Sequence, residues 1–434
     1  MPTRPVAARR SRANAYLASR VRFGIKFGLE TMRALCAELG HPERSFATLL
    51  VAGTNGKGSV AAYVDAALRA SGLAVGRYTS PHLVRVNERI AVGGRDVGRA
   101  AFESAVGRVR AAAARLVRAR TIPAHPTYFE ALTAAAFVHF RRARVDVAVL
   151  EVGMGGRLDA TNVAEPLASA IVSVEKDHEA FLGTTLAAIA REKAGVLRRG
   201  RATVVGSLAS EAQAVVETEA AAAGARLVQA RGGVRVVSAG EGLTIETPGF
   251  THHGVHPLAG AHQRENAIVA LRLLEAAQAA GLAVDLPAAA EGLSRTRWPG
   301  RLERVAGRPP LLLDGAHNPS AARALAAHLA GEPPFVLLFG VMADKDVEAM
   351  AAVLFPLARE VVLTRAPIDR AARPADIARR AGEVASGARQ EEDPRLALAL
   401  ARRLAPAGAE VVVAGSLYLV GEVKKILRTK KRRA

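Results

Sequence analysis

The sequence predicts an α/β protein with an N-terminal phosphate-loop domain and a C-terminal Rossmann-like α/β domain. The first has a parallel sheet plus a small added β region. Three observations point there. An apolar run at 46–52 leads straight into Gly53-Thr54-Asn55-Gly56-Lys57-Gly58-Ser59, and a helical pattern follows from 59 to 70. A second apolar run, 145–150, delivers Glu151 and another glycine-rich turn. From Pro310 onward, apolar runs at 311–314, 335–340, 361–364 and 411–415 alternate with helical stretches. Such alternation builds parallel sheets flanked by helices.

The first element is a strand, a glycine turn and a helix that stops at Ser71-Gly72. This arrangement aims backbone N–H groups and a helix dipole at phosphate. The turn departs from the standard template G-x-x-x-x-G-K-[ST]: Val51 stands where a glycine belongs, and Gly58 where Ser or Thr should follow the lysine. Taken alone it could be an ordinary glycine turn; the flanking strand and helix favour a nucleotide site. Lys57 would reach the outer phosphates and Ser59 would face magnesium.

The second element brings Glu151 to the C-terminal end of a strand, where ligands bind in open parallel sheets. A carboxylate there is the usual magnesium partner of a phosphate loop. The glycines after it do not make G-x-G-x-x-G, because Leu158 takes the last place, so a dinucleotide reading is weak. Further along come Asp177-His178, the helical stretch 185–196 with Lys193, Gln263 with Asn266, Trp298-Pro299-Gly300-Arg301, and Asp314-Gly315-Ala316-His317. By themselves, a lone histidine is usually structural and a lysine near a helix end usually solvated. The stretch 202–256, rich in Val, Thr and Gly, reads as added antiparallel strands.

Composition bounds the remaining classes. At 434 residues the chain can bury a large core in two or three domains. No run approaches the roughly 18 apolar residues of a membrane span. The basic start of the sequence lacks an apolar signal core. One cysteine, Cys36, excludes an internal disulfide framework and any Cys-rich metal site. The expectation is a soluble, cytoplasmic, monomeric protein without a membrane partner.

A formal net charge of +20 raises the question of nucleic acid. Yet 51 of the 60 basic residues are Arg, scattered among abundant Ala, and only the tail from Lys424 to Arg433 approaches a run. With 4% aromatics there is no stacking platform for single strands. Anionic small substrates account for the charge, and no nucleic-acid partner is expected. The nine lysines are informative because this chain otherwise uses Arg: a retained Lys marks a need for a compact, titratable amine. Outside the tail they are Lys26, Lys57, Lys176, Lys193 and Lys345.

Ten segments in order, "VAGTNGKGS", "TSPHL", "TYFEALT", "EVGMGGRLDATN", "DHEAFLG", "LAAIAREKAGV", "HQRENA", "WPGRLE", "LDGAHNP" and "GSLYL", resemble the folylpolyglutamate synthase/dihydrofolate synthase family. That family belongs to the Mur-ligase-like, ATP-dependent amide-forming ligases. The resemblance spans roughly residues 16 to 420, and the glycine after Lys57 is part of that superfamily's own phosphate loop. One segment departs: 172–176, before Asp177, is more charged than the family's apolar, glycine-containing approach.

The resemblance implies an enzyme that adds L-glutamate to dihydropteroate and to the γ-carboxyl of reduced folates, using ATP and Mg2+. A carboxylate is too poor an electrophile for an amine, so ATP's γ-phosphoryl group first makes an acyl phosphate, which glutamate's amine then attacks. Catalysis is then mostly charge neutralisation and positioning. By the same resemblance, residues 53–59 hold ATP phosphates and Ser80, Glu151 and His178 ligate magnesium. Lys193 matches a lysine carbamylated by CO2. Asn266, Arg301, Asp314 and His317 match further ATP contacts. The pterin side resembles Thr127, Tyr128, Phe129 and Glu130, with Leu158, Asp159 and Ala160, and also Phe27, Gly28 and Leu29. Lys57, Lys193 and His178 form the catalytic set. The implied domains are 1–296 and 297–434, joined at "TRWPGRLE", with the site in the cleft between them.

Three alternatives stand beside this reading. The enzyme could extend folates only. A cell-wall ligase of the superfamily would carry a nucleotide-sugar domain before the loop, and 52 residues are too few for one. A phosphate-loop motor would need nucleic acid for turnover.

Overall fold

Two sheets, each centred on short runs of Val, Leu and Ala, organise the chain in a computed structural model that describes residues 11–21, 24, 28–238 and 242–431. The first has eight strands: β1 (Ala47–Ala52), β2 (Val75–Tyr78), β3 (Ile90–Val92), β4 (Arg95–Asp96), β5 (Val147–Glu151), β6 (Ala168–Ile171), β7 (Ala202–Val205) and β8 (Arg226–Gln229). Their order is β4-β3-β2-β5-β1-β6-β7-β8. Six strands run parallel, and β3 and β4 extend the edge antiparallel. Val51 of β1 is in register with Glu151 of β5, so the glycine loop and the carboxylate leave the sheet side by side.

Apolar residues cover both faces. On one, Leu50 shares a core cluster with Phe137 and Phe140 of the helix Tyr128–Ala143. On the other, Leu49 and Val51 meet the helices Lys57–Ala70, Ala261–Ala279 and Leu286–Ser294. Each such fully buried side chain contributes about 1.5–3 kcal/mol, which fixes the strand ends that the loops grow from.

The expectation for 202–256 holds only in part. A small antiparallel sheet exists, formed by β9 (Arg235–Ser238), β10 (Leu243–Glu246) and β11 (Thr251–Val255). But β7 and β8 join the main sheet in parallel, because the Ala-rich segment between them folds as the helix Ser210–Ala223 and makes a crossover.

The second sheet comprises β12 (Glu303–Val305), β13 (Leu311–Leu313), β14 (Phe335–Phe339), β15 (Glu360–Leu363), β16 (Arg389–Gln390) and β17 (Glu410–Ala414), in the order β12-β13-β17-β14-β15-β16. All but β12 are parallel, with apolar clusters on both faces. Among the described residues no helix is long and apolar enough to cross a membrane.

Candidate functional site

The C-terminal ends of β1 and β5 open into a cavity of about 730 Å³, whose opposite wall is the turn after β13. The glycine loop forms its floor. Gly56 has φ 83, and a Cβ there would lie 2.4 Å from Asn266 Oδ1, so only glycine fits under Asn266. Ser173 ties the loop from behind: its hydroxyl accepts from Asn55 N (2.9 Å) and donates to Asn55 O (3.0 Å), while Thr54 N donates to Ser173 O. The charged approach at 172–176 is thus the loop's own brace. Lys57 folds back, donating to Gly53 O (2.9 Å) and Thr54 O (3.0 Å). Ser59, in the first turn of the helix, is buried and lines the cavity.

Glu151 accepts from Ser80 N at 2.9 Å. Burial in the cleft pushes its carboxyl up and the Lys57 amine down, and the attraction between the two opposes both shifts. His178 has left-handed backbone (φ 53), and desolvation, with Asp177 opposing, holds its imidazole down to about 4. It is therefore neutral near pH 7, with a nitrogen lone pair to offer.

These donors fit a magnesium ion. Such an ion binds through one or two carboxylates, phosphate oxygens and water, and here a buried carboxylate, two serine hydroxyls and a neutral imidazole share one cavity. Among the described residues no three His, Cys, Asp or Glu side chains are grouped to hold a metal by themselves, which leaves room for phosphate in its shell.

Lys193 is 2% exposed and lines the same cavity. Desolvation, reinforced by the charge of Lys57, pushes its amine down to about 7. No hydrogen-bond acceptor meets it among the described residues.

The far wall comes from the second sheet. Asp314 spends both oxygens on backbone: Oδ2 accepts from Leu302 N and Oδ1 from Ala316 N, each at 2.9 Å. It shapes the turn that presents Arg301 and His317 to the cavity. His317 Nδ1 bonds Gly315 O at 2.8 Å, and burial pushes its ring down. Side-chain contacts also bridge the cleft. Asn55 and Asn318 exchange amide hydrogen bonds (3.0 and 3.3 Å), and Lys345 donates to Asp177 Oδ1 at 2.5 Å. Sequence reasoning singled out Lys345 only as one rare lysine and Asp177 only as the neighbour of His178, and it gave no role to Asn318, Ser173 or Arg89. Retention of Lys where the chain prefers Arg was the one usable signal.

On the pterin side, Thr127 and Glu130 cap the helix Tyr128–Ala143 through each other, with Thr127 N donating to Glu130 Oε2 at 2.7 Å. The other oxygen, Oε1, is buried and unpartnered. Phe129, Leu158, Ala160 and Gly28 line the cavity. Asp159 lines it too, but its carboxylate is occupied by Gly153 N, Met154 N, Thr161 N and the Thr161 hydroxyl. Two expected contacts fall elsewhere. Tyr128 does not line the cavity: its ring lies beneath the Arg89 guanidinium, on a different side of the helix from Phe129. Leu29 is buried where it precedes the helix Glu30–Glu38. Phe27 lies outside the described residues.

Comparison with known proteins agrees with this geometry. The Mur ligase middle domain model matches residues 51–274, and the model of the Mur ligase glutamate ligase domain matches 300–417. A Halobacterium salinarum protein, a probable bifunctional folylpolyglutamate synthase/dihydropteroate synthase, is 40% identical over 93% of this chain and 50% of its own length. The chain thus spans about half the length of that relative. The dihydrofolate synthase/folylpolyglutamate synthase of Bacillus subtilis is 33% identical over 96% of this chain and 98% of its own. The structure of the Yersinia pestis bifunctional folylpolyglutamate synthase/dihydrofolate synthase, complexed with AMPPNP and Mn ion, superposes with a TM-score of 0.85 at 32% identity, covering 98% of this chain and all of that one. With both Mur ligase models matched and relatives alike over nearly its whole length, the chain belongs to the dihydrofolate synthase/folylpolyglutamate synthase family of Mur ligases.

Proposed function

We propose that this protein is an ATP-dependent ligase that joins L-glutamate to dihydropteroate and to the γ-carboxyl of reduced folates through an acyl phosphate. One observation supports this above the others. A phosphate loop, a strand-end carboxylate and a desolvated lysine from one lobe share a single cavity with Arg301 and His317 from the other. The two lobes are residues 1–296 and 297–434.

In the first half-reaction, a substrate carboxylate oxygen attacks the γ-phosphorus and ADP leaves. Lys57 and the backbone N–H groups of 56–59 hold the phosphates, and Lys57 releases its two carbonyl partners to do so. Arg301 and Asn266 complete the nucleotide contacts, with Asp314 and His317 setting the turn that holds Arg301. In the second, glutamate's amine attacks the acyl carbon, phosphate leaves and the amine sheds a proton. Magnesium, when bound, lowers the charge on the phosphates, and Ser59, Ser80, Glu151 and His178 are the residues that would hold it. Lys193 would carry a CO2-derived carbamate, which converts an amine that burial disfavours as a cation into an anion in the same cavity as the magnesium-side residues. The pterin lies along Phe129, with Glu130 Oε1 accepting from its amino-pyrimidine edge.

The protein works as a cytoplasmic monomer on small-molecule partners. The test is phosphate release with ATP, magnesium, glutamate and either dihydropteroate or tetrahydrofolate. Release with neither overturns the assignment.

A further inference from the structure

Gly58 stands where a standard phosphate loop has Ser or Thr, and Trp298 covers it. A methyl group on Gly58 would come within 3.1 Å of the indole Nε1 and 3.3 Å of Cζ2, closer than ordinary contact allows. Any side chain here would displace the indole. The hydroxyl that would stand at 58 appears one residue later, at Ser59. Trp298 is half-buried and is not among the residues lining the nucleotide cavity. The Arg77 guanidinium lies over its ring, 4.8 Å from the centroid, and Arg77 Nη1 donates to Asp65 Oδ2 at 2.8 Å. Asp65 belongs to the helix Lys57–Ala70, so the indole is held on that helix twice: at its first turn, and through an arginine anchored further along.

The chain on either side of Trp298 is fixed to different lobes. Upstream, the helix Leu286–Ser294 packs so closely on Lys57–Ala70 that a Cβ on Gly292 would lie 2.5 Å from Ala66 O. Downstream, Gly315 N donates to Gly300 O and Leu302 N to Asp314 Oδ2, both at 2.9 Å, which ties the segment to the second sheet. Residues 295–299 are the piece left between these anchors. Any motion of the second lobe relative to the first would pivot there. Trp298 sits inside that piece, three residues before Arg301, which faces the cavity.

We propose that Trp298 is a positioning residue coupling occupancy of the phosphate loop to closure of the second lobe. The inference rests on reading that loop as a nucleotide site. Phosphates drawing on the N–H groups of 56–59 shift the first helical turn beneath the indole, and the indole carries the linker, and Arg301 with it, towards the nucleotide.

Because Trp298 is the only tryptophan of the chain, its emission reports this contact directly. In the full chain, saturating magnesium-ADP shifts that emission, while calorimetry measures ADP binding independently. Trp298→Ala lowers kcat about tenfold or more with the ADP Kd within about threefold, since the indole lies outside the cavity. Trp298→Phe, which keeps an aromatic face on Gly58 and Arg77, restores most of kcat. Calorimetric binding without an emission change overturns the coupling, as does a folded Trp298→Ala enzyme with unaltered kcat; both leave the nucleotide site standing. Lack of calorimetric binding overturns the nucleotide reading and the coupling with it. If the alanine variant does not fold, the titration of the unmutated protein decides.

Discussion

Lys345 and Asp177 pair across the cleft at 2.5 Å though 168 residues separate them in the chain. Their side chains are 8% and 6% exposed, and Asn318 Nδ2 donates to the other Asp177 oxygen at 3.2 Å. Burial pushes the Asp177 carboxyl up, but the positive charges that His178, Lys345 and His317 carry at acid pH outweigh it and hold it well below the usual range. A buried pair joining two separately cored lobes acts on their closure more than on either fold.

Lys345→Met should therefore open the molecule without unfolding it. Removing one partner of a buried pair costs about 3–5 kcal/mol, and here the chain escapes most of that cost by separating the lobes and hydrating Asp177. Small-angle scattering should show a larger radius of gyration, and kcat should fall at least about tenfold. Unchanged scattering with unchanged kcat would remove the pair from the closing mechanism.

Lys57→Ala should abolish turnover. Its ammonium is the compact cation at the loop, released from Gly53 O and Thr54 O when phosphates arrive. A loss of about 10³-fold or more is expected for a cation on a transferring phosphoryl group. Near-normal phosphate release in this variant would sink the loop's assignment.

What could be read from sequence, and what could not, follows the range of the interactions. The loop at 53–59, Glu151 and the strands around them were legible because strand, turn and helix are local patterns. The roles of Trp298, Asn318 and Lys345 were not, since each acts on a residue more than 160 positions away. Tyr128 and Phe129 look alike in sequence and both pack on the edge of the same core, and only the helix direction lets Phe129 alone also line the cavity. The strands β7 and β8 misled for a related reason: an apolar run does not reveal which neighbour it pairs with or in which direction.

Lys193 should prove to be carbamylated. The free amine, and not the ammonium, adds CO2: nitrogen attacks carbon and a proton goes to water. With the amine pushed down to about 7 by burial, protonation below that value removes the reactive form, so modification and activity should both decline as pH falls from 8 to 6. Protein exchanged with 13C-bicarbonate should show a carbamate resonance that is absent in Lys193→Ala. That variant should lose most activity and regain part of it with a small added carboxylate; Lys193→Arg should fail, because a guanidinium cannot become an anion. A spectrum with no carbamate signal at pH 8 in the unmutated protein would refute the modification.

The substrate range turns on Glu130. The phosphate loop and the magnesium-side residues serve both ligations equally, so only the pterin wall can separate them. Glu130 Oε2 is committed to Thr127 N, whereas Oε1 is a buried acceptor with no protein partner. A buried acceptor left unmade is costly, about 1–3 kcal/mol, and the amino-pyrimidine edge of a pterin supplies the donors that would satisfy it. In Glu130→Gln the amide oxygen keeps the helix cap while the amide nitrogen faces the ligand, setting donor against donor. The KM for dihydropteroate should rise at least about tenfold with kcat less affected, and the fold should hold because the cap survives. Phosphate release should be measured with dihydropteroate beside tetrahydrofolate in both proteins. Turnover of both substrates by the unmutated enzyme, with KM raised in the variant, supports two activities on one pterin wall. Turnover of tetrahydrofolate alone would restrict the enzyme to folate extension, and an unchanged KM in the variant would move the pterin away from Glu130.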